Sequence, residues 1–416
     1  MKTIAAVLGG CVAGLFASSL PASDWNQWRG PERTGVASGF TLPKPGEAGS
    51  LVAAWSVVVG EGHASPVVSA GRVYVFAREG EQEAVRCLDL ETGRELWRDV
   101  YPVAYDMNPA ARGHGKGPKS TPVVADGRVF TFGIQGHLSA YDARTGALLW
   151  RKTFGQEYKE TSPAFGTSVS PLVDGSRVIV HVGGEDSGAL TAFDVATGQV
   201  VWKWAGDGPA YTSPIIAAPG GVRQLITQSQ KRCLAVDPET GVLLWEIPFT
   251  TPYDQNIVTP VVSGDVVIFG GIRNPLFAVR VSRGSPPVTV WESREISQYM
   301  SSPVLDGHRL YGMSDKHRGS LFTLDAKTGT VLWKSEGTLG SNASVTDVGP
   351  ALLVLTDRGE LTVQDKKGDA LVARARYQVA DAPVWASPAV VGDRLLIKGK
   401  TTLALYGFAG AAPTAD

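Results

Sequence analysis

The chain has 416 residues, 43% of them hydrophobic, and a formal net charge of −1, enough material for one large core and too little positive charge for a nucleic-acid partner, which needs a concentrated basic surface. Its 49 Gly and 26 Pro sit mostly at regular turns, the distribution expected of many short strands.

Residues 1–23, MKTIAAVLGGCVAGLFASSLPAS, combine Lys2, an apolar run from Ile4 to Phe16 and small residues before Asp24. This is read as a secretory signal peptide, which places the mature chain in the periplasm or outside the cell. Leu8-Gly9-Gly10-Cys11 resembles a lipoprotein box, which would make Cys11 an outer-membrane lipid anchor; the apolar sequence continuing past it favours an ordinary signal residue. Residues 24–50 form a Pro/Gly-rich arm without periodicity that carries Trp25, Trp28 and Arg29. The first regular strand is expected at Leu51 to Val59, around Trp55.

From there the chain repeats. Eight units open on Ser65, Thr121, Ser170, Ser213, Thr259, Ser302, Ser344 and Ser387, with Pro next in all but the seventh, where Val345 stands. Five close on Asp-x-x-Thr-Gly-x-x-x-Trp, ending at Trp97, Trp150, Trp202, Trp245 and Trp333; a sixth keeps Trp291 but replaces Thr-Gly by Arg283-Gly284. Opening and closing residues lie 29 to 32 positions apart in those six units. Such a period marks a repeat fold. In the turn, Asp can accept bonds from nearby amides and Gly supplies a positive φ. Four antiparallel strands per unit, arranged radially, make an all-β, eight-bladed propeller. The last unit has three strands, so residues 51–59 are expected to supply the fourth and close the ring. Val372 stands where the seventh unit should have Trp, and looser packing is expected there. Residues 51–408 are assigned to the propeller and 409–416 to a disordered tail.

The Asp-x-x-Thr-Gly-x-x-x-Trp signature, the Ser-Pro openings and the closure by both termini resemble the pyrroloquinoline-quinone-type propeller repeat. That repeat occurs in quinoprotein dehydrogenases and in BamB-like outer-membrane assembly scaffolds, and the compact blades are more similar to the scaffolds. The resemblance implies a monomeric periplasmic scaffold for a protein or peptide partner, without cofactor or catalytic residues. Its alternative is an oxidoreductase or cofactor-binding protein holding pyrroloquinoline quinone and calcium in the channel. A dehydrogenase of that kind would show a vicinal Cys-Cys pair, which this chain lacks, and the repeated Asp residues are read as turn formers. Carbohydrate binding would need exposed aromatics at the mouth and stays open.

Two buried free thiols are expected at Cys87 and Cys233. The six His residues are scattered without ligand spacing, so no metal centre is expected. Gly113-His-Gly-Lys-Gly117 is not a phosphate loop, because Pro118 and a strand follow instead of a helix. Gly184-Glu-Asp-Ser-Gly188 is taken as a solvated hairpin loop and not a calcium site. Most links from a closing residue to the next opening span 10 to 15 residues, but Trp97 to Thr121 takes 24 and Trp150 to Ser170 takes 20. Long loops in compact domains are often functional. Arg112, His114, Lys116 and Lys119 in the first, with Tyr158 and Lys159 in the second, are therefore the expected anion- or peptide-binding residues.

Overall fold

In the computed structural model, which describes residues 24–43 and 50–408, eight four-stranded antiparallel sheets form a ring. The signal-peptide assignment, Cys11 and the 409–416 tail lie outside the described residues. Blade 1 comprises Val67–Ser69, Arg72–Glu79, Gln82–Asp89 and Glu95–Pro102, ordered from axis to rim, and blades 2 to 7 repeat this order. Blade 8 joins Ala389–Val391, Arg394–Lys398 and Thr402–Phe408 to Leu51–Val58, which pairs antiparallel with Thr402–Phe408. The ring is thus closed by one N-terminal and three C-terminal strands, and no blade is left open.

The Pro after each opening residue sets the inner strand's length, because it has no N–H to give a ladder. Innermost strands of Pro-bearing blades have 3 residues, for example Val123–Ala125. In blade 7, Val345 replaces Pro and the inner strand Ala343–Asp347 has 5. The opening hydroxyls tie neighbouring blades at the axis. The Ser65 amide donates to Thr121 Oγ1 at 3.1 Å, Thr121 to Ser170 Oγ at 3.0 Å, Ser170 to Ser213 Oγ at 3.0 Å, Thr259 to Ser302 Oγ at 3.0 Å, and Ser387 to Ser65 Oγ at 2.9 Å.

At the rim the repeat works between blades. Asp142 Oδ1 accepts the amide and the hydroxyl of Thr145 at 2.7 Å each, bending the turn so that Gly146 takes φ +76°. A Cβ on Gly146 would lie 2.5 Å from Trp97 Cδ2, so the missing side chain forms the socket for the tryptophan of the preceding blade. Trp97 then donates its indole N–H to Ala143 O at 3.0 Å. Trp55 sits the same way on Gly93, Trp150 on Gly198, Trp202 on Gly241 and Trp291 on Gly329. Blade 5, with Arg283-Gly284, has no socket, since nothing approaches a Cβ at Gly284, and Trp245 bonds Gln224 Oε1 of its own blade at 2.6 Å instead. Blade 7's turn likewise leaves Gly368 open and Trp333 without a glycine beneath it. Val372 in blade 7 has a matching reason: the third and fourth strands of blade 8 are not consecutive, so no hairpin turn exists there to receive a tryptophan.

The hydrophobic core is divided among the gaps between adjacent sheets. Tyr74 and Val85 of blade 1 meet Val129 and Tyr141 of blade 2, and similar clusters fill the following gaps. The largest joins blades 7, 8 and 1 and includes Trp25, Ala37 and Phe40 of the arm. Cys87 and Cys233 are free and fully buried within this packing.

Candidate functional site

The arm does not lie on the outer surface; it enters the ring. Trp25 exchanges backbone bonds with Val68 in blade 1, the Val124 amide in blade 2 donates to Asn26 O, and the Ala37 amide donates to Asp347 O in blade 7. Arg33, 4% exposed, donates to Pro171 O at 2.9 Å and Ser170 O at 3.1 Å in blade 3, and Arg29, 6% exposed, donates to Pro303 O in blade 6 at 2.5 Å. Trp28 donates its indole N–H to Thr259 Oγ1 in blade 5 at 3.0 Å. A short segment touching the inner strands of six blades spans the channel, because those strands leave axial carbonyls and hydroxyls unpaired and the arm satisfies them.

Above this plug lies a cavity of 490 Å³ with Trp28 in its floor. All eight links between blades contribute to its wall, among them His63, Lys119, Phe165, Tyr211, Asn342 and Trp385. Its size is that of a small-ligand pocket. Most of the wall is apolar or aromatic, and no Asp or Glu lines it. The rim carries Arg273 and Tyr253; Tyr253 is 79% exposed and holds a left-handed backbone at φ +60°, which is rarely adopted by a bulky residue.

The long link into blade 2 builds one side. Asn108 caps the 3-10 helix Pro109–His114 by accepting the Ala110 amide at 3.0 Å, and Pro109 opens that helix. Gly117 then passes so close to Glu61 and Gly62 that a Cβ would meet their backbone at 2.5 Å. This close approach explains Gly117, and Gly115 takes a left-handed φ of +66° at the end of the helix, while His114 and Lys119 on either side line the cavity. His114 stacks on Trp385 at 4.2 Å, His63 meets Trp385 edge-on at 4.8 Å, and His63 Nε2 bonds His114 O at 2.8 Å. Burial, with Lys398 next, holds His63 down at about 3; burial, with Lys119 next, holds His114 at about 4, so both rings are neutral at pH 7. Lys119 Nζ donates to Phe165 O at 2.5 Å, its one bond among the described residues, and burial lowers its pKa to about 8.

The structure brings together only part of the expected set. His114 and Lys119 line the cavity; Arg112 is exposed, Lys116 is half-buried, and neither reaches it. Tyr158 packs against the core between blades 2 and 3, beside Phe154, and Lys159 is exposed on the same link. Charge in a loop can be read from sequence; the direction in which a link turns each side chain cannot. Sequence reasoning missed Trp28, His63, Tyr211, Tyr253, Asn342 and Trp385. The only signal for Trp28 was a Trp/Arg-rich arm without periodicity. The Gly184–Gly188 stretch closes a hairpin in blade 3, where Asp186 pairs with Lys231.

Calcium takes six to eight oxygen ligands, carboxylates prominent among them. The cavity wall offers no carboxylate, and no group of three His, Cys, Asp or Glu converges among the described residues. The wall therefore does not fit pyrroloquinoline quinone held through calcium.

Ring, closure and axial cavity define an eight-bladed propeller of the quinoprotein-type repeat. Residues 81–335 match the model of the family described as outer membrane protein assembly factor BamB, and the chain belongs to that family. It is 24% identical over 366 residues to the outer membrane protein assembly factor BamB of Shewanella oneidensis, covering 83% of this chain and 86% of that protein. Among solved structures it superposes on BamB of Moraxella catarrhalis with a TM-score of 0.63, 17% identity and coverage of 87% of this chain and 99% of that one. The quinohemoprotein alcohol dehydrogenase of Comamonas testosteroni gives a TM-score of 0.69 at 16% identity, over 95% of this chain and 82% of that one. At these identities the structural likeness shows the shared fold and does not choose between scaffold and enzyme.

Proposed function

We propose that the protein is a monomeric assembly scaffold of the cell envelope, periplasmic or secreted, which receives a side chain or loop of a protein partner in its axial mouth. The observation that supports this most is the 490 Å³ apolar cavity floored by the chain's own arm. A cavity backed by its own polypeptide suits the seating of a protruding group from a partner, and exposed Tyr253 on its rim offers an aromatic contact at low entropic cost. Family membership favours the same role.

The test is cross-linking pull-down from envelope extract with mature wild-type protein and with a rim variant, Tyr253→Glu/Ile272→Glu, in which Ile272 lines the cavity next to Arg273. A partner enriched by wild type and lost by the variant is expected. No enriched partner, or equal enrichment by both, overturns the reading. Pyrroloquinoline quinone with calcium should leave Tm unchanged. A cofactor that binds only the folded state would raise stability by about 2.7 kcal/mol at a hundredfold excess over its Kd, and such a rise would favour the oxidoreductase alternative.

A further inference from the structure

The mouth and plug hold cations without carboxylate partners. Arg29 and Arg33 in the plug bond only oxygens of carbonyls and of the Gln27 amide. Lys398, 1% exposed beside His63, bonds the carbonyls of Gly60 and Gly62 at 3.2 and 2.6 Å; Glu61 acts on it without forming an ion pair. Lys119 bonds a single carbonyl, and Arg273 stands on the rim. None of these five forms an ion pair among the described residues. Buried charges are ordinarily paired, so a region with several unpaired cations and no acid in the cavity wall is electrostatically arranged for an anion. Of the two cations at the wall, Arg273 is exposed on the rim and Lys119 is the more enclosed one, with three N–H groups and one used among the described residues.

Two further observations describe the rest of the ligand. The stacked His114 and Trp385 rings present an aromatic surface that a bare anion would leave in contact with water. Asn342, 6% exposed, lines the wall from the link into blade 7 with Oδ1 unpartnered, an acceptor that can take an N–H or O–H of the ligand but not its carboxylate. We propose that the cavity selects a carboxylate carried next to an aromatic or branched apolar group, with Lys119 taking the carboxylate and the His114–Trp385 pair the apolar part. This rests on the reading of the mouth as a receptor and names the chemistry it reads. The carboxylate could belong to an acidic side chain of a partner or to a free organic acid.

The experiment is calorimetric titration of the mature protein with 3-phenylpropionate, with its neutral isostere 3-phenylpropanamide, and with two acetylated, amidated hexapeptides carrying an internal Phe-Glu or Phe-Gln. The acid should bind at least tenfold more tightly than the amide. Lys119→Met should remove that preference while amide binding persists. A pH series is a second readout. His63 and His114 stay neutral above pH 6, burial raises Tyr211 and Tyr299 above the ordinary phenol range, Arg273 faces the cavity from the rim, and burial holds Lys398 beside His63 at about 8, as it does Lys119. The preference should therefore fade above about pH 8 in wild type, and Lys119→Met separates the share of Lys119 from that of Lys398. Equal binding of acid and amide by wild type, an undiminished preference in Lys119→Met, or no binding by any probe overturns the inference. If acid and amide bind equally while the rim variant still loses its partner, the scaffold reading stands and this inference falls. A preference for 3-phenylpropionate with both peptides excluded keeps the inference, assigns it to a free acid, and counts against the polypeptide-receiving mouth. Preferential binding of the Phe-Glu peptide supports both.

Discussion

Replacing Lys119 by Met isolates the cost of keeping an unpaired ammonium at the cavity wall. Burial lowers this amine from 10.5 to about 8 in the folded protein. Between those values the unfolded chain binds more protons than the folded one, so stability rises with pH across that interval. The burial penalty is present in full below pH 8 and is relieved as the pH climbs from about 8 towards 10.5. At about 1.4 kcal/mol per pH unit the relief reaches roughly 3 kcal/mol, and closer to 2 kcal/mol once solvent screening of the partly exposed side chain is allowed for. Lys398, also held at about 8 by burial, and tyrosines such as Tyr74, raised by burial, titrate in both proteins and cancel in the difference. Urea unfolding of wild type and Lys119→Met at pH 7, 8.5 and 9.5 measures it. The variant should hold its largest relative advantage at pH 7 and lose part of it by pH 9.5. A difference that stays constant within about 0.5 kcal/mol over this range would refute the buried-cation argument.

The socket arrangement makes a paired prediction. Gly146→Ala, at φ +76° and 2.5 Å from Trp97 Cδ2, should cost about 3 kcal/mol or more, whereas Gly127→Ala, at φ +70° with nothing within 4 Å, should cost only about 1 kcal/mol of backbone strain. Equal losses in urea would show that tryptophan does not need the missing Cβ. His181, 4% exposed and bonded to Asp207 O at 3.0 Å, is lowered to about 4 by burial. Its neutral form contributes fully above pH 6.5, and that contribution is lost as pH falls from 6.5 towards 4, by up to about 3 kcal/mol. His181→Gln should therefore flatten the acid limb of the stability curve; an unchanged slope would count against it.

The repeat could be read directly because its chemistry is local. Asp142, Thr145 and Gly146 form their turn from bonds within four residues, and the opening proline limits its own strand, so spacing alone carried the blade count and the closure by Leu51–Val58. The purpose of the signature was less visible. Gly146 serves Trp97 of the preceding blade, and only adjacent sheets show that Gly284 and Gly368 leave their sockets open, or that blade 8 has no turn for a tryptophan at position 372 to fill.

The site divides in the same way. Loop length identified the link that carries His114 and Lys119, since excess residues in a regular repeat are visible in one dimension. Arg112, Lys116, Tyr158 and Lys159 share those links but do not line the cavity; Arg112 sits in the 3-10 helix and Tyr158 packs on a hydrophobic cluster. Of the plug, the sequence showed only a Trp/Arg-rich arm without periodicity. Trp25, Trp28, Arg29 and Arg33 find their partners in blades 1, 5, 6 and 3, at residues 68, 259, 303 and 170–171. The sequence by itself determined a ring of eight blades, because each blade is written in short-range bonds. Only the tertiary structure decided that the ring has a floor and a charged, apolar mouth, because those arise where segments far apart in the chain meet at one axis.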